Sequence, residues 1–204
     1  MAVIGTTAFL PAAHATTLAP LTHDQMVDAA DLIVEGTVLS VNTMVDEHGH
    51  VWTQARVRVE QSLKGGAAIG KTVLVESAGG VLSDGRAIDV HLAPRYDQEE
   101  RVLLYLVSRR FGAAYGTVGM MMGKFTIKQN PADGSDMVVR FTLPYAREYD
   151  ARFLPNPPAA ARVSLASMEV AVETRVAEGW DGAPIPGVSA AHLREINKLQ
   201  PGVK

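Results

Sequence analysis

The strongest constraint on this chain is the segment from Val51 to Leu63, in which Val51, Thr53, Ala55, Val57 and Val59 alternate with Gln54, Arg56, Arg58 and Glu60. Successive side chains of a strand point to opposite faces. A period of two over this length therefore specifies an antiparallel strand with one face buried and the other in water. Such a strand needs partners, and its flanks offer them. Before the polar turn Asp46-Glu47-His48-Gly49-His50 lies Leu32 to Val41, β-branched and too long for a flat strand, with Gly36 placed where a bulge or bend would let it curl. Beyond Gly65-Gly66, Lys71 to Glu76 reads as a third strand, ended by Gly79-Gly80, and Ile88 to Leu92 alternates again before Pro94. Val102 to Val107 is the most continuously apolar run and reads as the central strand. Ala113–Val118, Gly123–Lys128 and Met137–Phe141 add shorter strands, with the hairpin signal Asp133-Gly134 between the last two. Strands so spaced, with Gly-rich turns, predict a mainly β fold. Its form is a closed or nearly closed antiparallel barrel in which Val57, Val59, Leu104 and Leu106 face a common core.

Helices are expected only at the ends. Thr22-His23-Asp24-Gln25 is a capping box opening a short helix that ends near Ala30. After Pro144 the composition shifts. Pro155, Pro157 and Pro158 mark a linker, Ser164 caps a helix from Leu165 to about Glu178 that Gly179 stops, and Ser189 caps Ala190 to Leu199. The apolar residues of this tail are too few to enclose a core, so both helices are expected to pack on the barrel. The organisation is thus a signal peptide at 1–15, a β-barrel domain with its N-terminal helix at 16–143, and a linker with a helical extension at 144–204. The leader rests on 22 initial residues without Asp, Glu, Lys or Arg, a mostly apolar Met1 to Leu10, and Ala13-His14-Ala15 as an A-x-A cleavage pattern. Cleavage after Ala15 and a periplasmic or secreted location follow as expectations.

Composition then narrows the partners. The 204 residues carry 19 Lys and Arg against 22 Asp and Glu, a net charge of −3, with neither sign gathered into a block. That balance argues against nucleic acid or an anionic membrane as the main partner. With no cysteine, disulfide scaffolds, Cys zinc sites and thiol catalysis are excluded. No apolar run reaches the length of a transmembrane helix, so none is expected in the mature chain.

Four motifs bear on chemistry, and each has a plainer structural reading. Gly65-Gly66-Ala67-Ala68-Ile69-Gly70-Lys71-Thr72 matches G-x-x-x-x-G-K-[ST], yet β-forming Thr72 to Val75 follows where a phosphate-binding helix must start, so a turn between strands is the reading adopted. His48 and His50, with His91 on a later segment, are spaced to share a strand face and chelate a metal, but Gly49 points to an exposed hairpin tip. Met120-Met121-Met122 suggests a thioether copper site, in which only Met120 and Met122 would converge on a strand; methionines filling a barrel core are the preferred account. Asp97, Glu99 and Glu100 form an acidic turn with nothing to hold a catalytic pair across a cleft. No G-x-S-x-G elbow occurs. The sequence thus assigns no catalytic, cofactor-binding or metal residue and implies no cofactor.

Ala30-Asp31-Leu32-Ile33-Val34-Glu35-Gly36-Thr37-Val38, followed by Thr53 to Val59 and Leu63-Lys64-Gly65, resembles the opening of the netrin-like modules of tissue inhibitors of metalloproteinases. The stretch from about Ala30 to Phe141, including Ala93-Pro94-Arg95-Tyr96, is also similar to an uncharacterised domain of exported bacterial proteins. The first resemblance implies a five-stranded OB-like barrel. It does not carry over protease inhibition, because those inhibitors reach the protease zinc with an N-terminal cysteine and this chain has none. The expected function is a non-enzymatic extracytoplasmic binding or interaction module for an unknown protein or envelope ligand. A metal-dependent or other hydrolase of the cell envelope and a structural component of an envelope assembly stand as alternatives.

Overall fold

The structure, a computed structural model, describes residues 20–109, 113–140 and 163–198. The expected cleavage site at Ala15, the linker prolines and Phe141 lie outside the described residues. The fold is mainly β. Helix α1 (His23–Ala29) precedes β1 (Leu32–Val45), β2 (Val51–Lys64), β3 (Thr72–Ala78), the short β4 (Gly80–Val81) and β5 (Ala87–Ile88), β6 (Arg101–Ser108) and β7 (Ala114–Thr117). A single 3₁₀ turn, Met120–Gly123, leads to β8 (Lys124–Gln129), β9 (Asp136–Val139) and β10 (Val163–Ser164), then α2 (Leu165–Glu178) and α3 (Ala190–Lys198). Both expected caps form at the start of α1: the Thr22 hydroxyl accepts from the Gln25 amide and the Gln25 side chain accepts from the Thr22 amide. Ser164 caps α2 through the Ser167 amide, and Ser189 caps α3 through the His192 amide.

One sheet of eight strands runs β1-β2-β3-β7-β6-β8-β9-β10, and β1 pairs in addition with β6. Pairing therefore passes from β1 through β2, β3, β7 and β6 and returns to β1. An odd number of strands linked in this way cannot alternate in direction throughout. The one exception is β3 with β7, a parallel pair joining Leu74 to Ala114 and Val75 to Tyr115, which corrects the expectation of purely antiparallel pairing. Serving both β2 and β6 bends β1, with register shifts between Ile33 and Val34, Glu35 and Gly36, and Val38 and Ser40. Gly36 sits at one of them, where a Cβ would collide with the Arg58 carbonyl oxygen.

Burial on both faces of β1 and β6 follows from this topology. On one face Leu32, Val34 and Val38 meet Val102, Leu104 and Leu106 together with Val57, Val59 and Val75. Leu104, Leu106, Val57 and Val59 thus share one core, as their alternation and apolarity predicted. Ile33, Leu103 and Tyr105 point the other way, into a second cluster with α1, Phe125, Leu165 and Val172 of α2 and Leu193 of α3. That second cluster is held by buried polar groups. Asp28 of α1 accepts a fork from Arg175 of α2, from Nε at 3.0 Å and Nη2 at 2.6 Å. The buried Lys64 ammonium donates to the Val27 carbonyl at the end of α1 at 2.7 Å, and burial pulls its pKa down to about 8.

Two further expectations are corrected. The segment Ile88 to Leu92 is not a strand: β5 stops at Ile88, and Leu92 has a positive φ of 65°, outside the extended region. Met120 to Met122 form the 3₁₀ turn and do not fill the inner core; Met122 packs on the outer cluster. That turn is an expansion of a strand line. Thr117 pairs with Leu106 and Lys124 with Leu104, so residues 118–123 stand opposite Tyr105 alone. The Val118 amide and the close approach of Gly123 both use the Tyr105 carbonyl.

Candidate functional site

Alternation in β2 sends Trp52, Gln54, Arg56 and Arg58 outward, and the register of β3 sets Gln54 beside Glu76 and Arg56 beside Leu74. Gln54 Nε2 donates to Glu76 Oε1 at 2.9 Å, and Arg109, at the start of the β6–β7 connection, reaches Glu76 Oε2 at 3.4 Å. The same Arg109 guanidinium lies over the Trp52 ring, 4.3 Å from its centroid. Trp52 is fixed from its other side, its indole N–H donating to Asp46 Oδ2 at 3.0 Å. Asp46 also accepts from the His48 and His50 amides and lies 3.1 Å from His50 Nδ1. These bonds, the one from Trp52 foremost, hold the Asp46 carboxyl well below the usual carboxylate range. The product is an outward platform of the Trp52 ring, the Arg109 guanidinium, the Gln54 amide and the Glu76 carboxylate, organised by the β1–β2 turn and the β6–β7 connection.

Behind this platform, on the inward side of the same hairpin, lies a cleft of about 400 Å³ lined by Thr43, Thr53, Ser77 and Gly80 and walled by Val81 and Ile88. Its hydroxyls brace backbone: Thr53 donates to the Gly79 carbonyl at 2.8 Å and Ser77 to that of Pro94 at 2.7 Å. Tyr96 borders it from the core, with a buried hydroxyl that lacks a hydrogen-bond partner among the described residues.

Two further polar pairs lie against helices. Glu35, on the outer face of β1, is 6% exposed and faces Glu169 of α2; burial first, and the neighbouring Glu169 second, push its pKa up to about 8. On the opposite flank, Asp31 Oδ2 accepts from the Ser108 amide at 2.6 Å while Oδ1 lies 3.4 Å from Nε2 of His192 on α3.

The residues weighed from sequence are dispersed. His48 and His50 are exposed at the hairpin tip with ring centroids 6.1 Å apart, and His91 is exposed in the turn after β5. Asp97 and Glu99 are exposed, whereas Glu100 turns inward to accept from Lys124 Nζ at 2.7 Å and from the Thr126 hydroxyl. The Gly65 to Thr72 loop runs straight into β3, and the Gly70 amide donates to the Val59 carbonyl, so the loop is stitched to the sheet and opens no helix. Sequence reasoning missed Arg109 over Trp52, Glu35 with Glu169, and Asp31 with His192. Only the outward parity of Trp52 was available to suggest the first. No protein-family model matches the chain, and no curated protein matches it in sequence.

Proposed function

We propose that this protein is a non-enzymatic binding module of the periplasm or cell exterior, built on an OB-like barrel related to the netrin-like module. The return of pairing from β6 to β1 and the single parallel pair β3–β7 support a closed five-stranded ring, the arrangement that defines that barrel. OB barrels bind on the face of their second and third strands and on the loops beside it. Here that face carries the one observation on which the reading rests: Arg109, from the far side of the ring, stacks on Trp52 and joins Gln54 at Glu76. A flat ring with fixed donors and an acceptor around it suits a protein or envelope ligand bound by stacking and hydrogen bonds.

The test is capture from envelope extract by the wild-type chain and by Trp52→Ala and Arg109→Ala variants of unchanged thermal stability. A retained ligand lost by both variants supports the reading. Identical capture by all three proteins refutes it, and recovery of the uncleaved chain from the cytoplasm alone refutes the location.

A further inference from the structure

We propose a second, separate site on this chain: a soft monovalent metal site, for copper(I), formed by the thioethers of Met120 and Met122 and the imidazole of His192. The three side chains line one groove of about 820 Å³ between the 3₁₀ turn, the end of β6 and the start of α3. The strand expectation for the methionines was overturned by the turn, and the turn is what serves the groove: Met120 and Met122 line it while Met121, whose amide donates to the Leu92 carbonyl, does not. Met120 holds a left-handed φ of 56°, uncommon for a residue with a side chain.

His192 is arranged as a ligand. Its Nε2 faces Asp31 Oδ1 at 3.4 Å, and Asp31 is itself fixed by the Ser108 amide. A carboxylate behind one ring nitrogen is the usual support of a metal-bound histidine, since it orients the ring. Nε2 is buried beside Asp31 Oδ1, and neither atom has a hydrogen-bond partner among the described residues, so a metal would take the ring through Nδ1. Thioethers select copper(I) over hard or borderline divalent ions. The groove adds the carboxylate of Glu195, one turn along α3, and no Lys or Arg among its lining residues, so its field favours a cation. Binding needs no electron transfer: Nδ1 and one lone pair from each sulfur would coordinate the ion.

The full chain is titrated anaerobically with copper(I) against a chromophoric chelator, and with silver(I) while the methionine methyl resonances are followed. One equivalent should bind with submicromolar affinity and shift two methionine methyls. Met120→Leu and Met122→Leu, nearly isosteric and so compatible with the fold, should each weaken binding at least about tenfold, as should His192→Asn; Asp31→Asn should weaken it about 10–100-fold. A His48→Ala/His50→Ala variant should bind as the wild type does. Absence of competitive binding overturns the proposal, as does affinity unchanged by both methionine substitutions, binding lost with the His48/His50 pair, or displacement by equimolar zinc(II).

Discussion

Replacing Glu35 by glutamine changes almost nothing in shape and removes one ionisable proton, so it isolates the cost of charge beneath α2. Glu35 is 6% exposed and faces Glu169, and its pKa rises from 4.5 to about 8. The folded protein therefore holds this proton more tightly than the unfolded chain does. The contribution to stability is fully present below about pH 4.5 and is lost progressively as pH rises through about 8. A shift of this size corresponds to about 5 kcal/mol at 1.36 kcal/mol per pH unit; the partial exposure of Glu169 reduces the expected loss to about 2–4 kcal/mol. Lys64, lowered to about 8, acts with the opposite sign and above that pH, stability rising as the unfolded chain loses its extra proton, so the difference between wild type and variant is the quantity to measure. Urea unfolding of both proteins at pH 5, 7 and 9 supplies it. The two should be similar at pH 5, and Glu35→Gln should be the more stable by about 2–4 kcal/mol at pH 9. A difference that stays constant across the series would falsify the assignment of Glu35 as a buried carboxyl that holds its proton.

Leu104 is fully buried in the inner core, and Leu104→Ala should lose about 2–5 kcal/mol by chemical denaturation; a loss below about 0.5 kcal/mol would place it at the surface. Arg175→Ala leaves the Asp28 carboxylate buried without its fork and should cost about 3–5 kcal/mol. Hydrogen exchange should localise the protection lost to α1 and α2, and loss confined to the strands would contradict this packing. Calorimetry with ATP and magnesium should show no saturable heat, since β3 begins where a phosphate-binding helix would have to start; submillimolar binding abolished by Lys71→Ala would overturn that reading.

What could be read in the sequence was whatever a local period encodes. The alternation of Val51 to Val59 set one face of β2 inward, the apolar run at Val102 identified β6, and Thr22 with Gln25 marked the start of α1. Gly36 was legible too, because a β-branched run interrupted by glycine has few other uses. The Met120 turn was not. Three consecutive methionines satisfy a strand as well as a turn, and the outcome depends on six residues having to sit opposite Tyr105 alone, a constraint written in the pairing of β6. The same holds for the polar sites. Asp31 meets His192, Glu35 meets Glu169 and Trp52 meets Arg109 across separations that no window along the chain spans.

The double service of β1 also sets an order of events during folding. Its hairpin with β2 closes locally across Asp46 to His50, but its other edge, Leu32 to Thr37, is filled by residues 101–106, which reach it only after the whole intervening chain has been made. Until then a strongly apolar strand edge stands open, the kind of surface that pairs with another copy of itself. Contacts of such long sequence separation make for slow folding. Aggregation on refolding should therefore scale with the time that edge waits for β6.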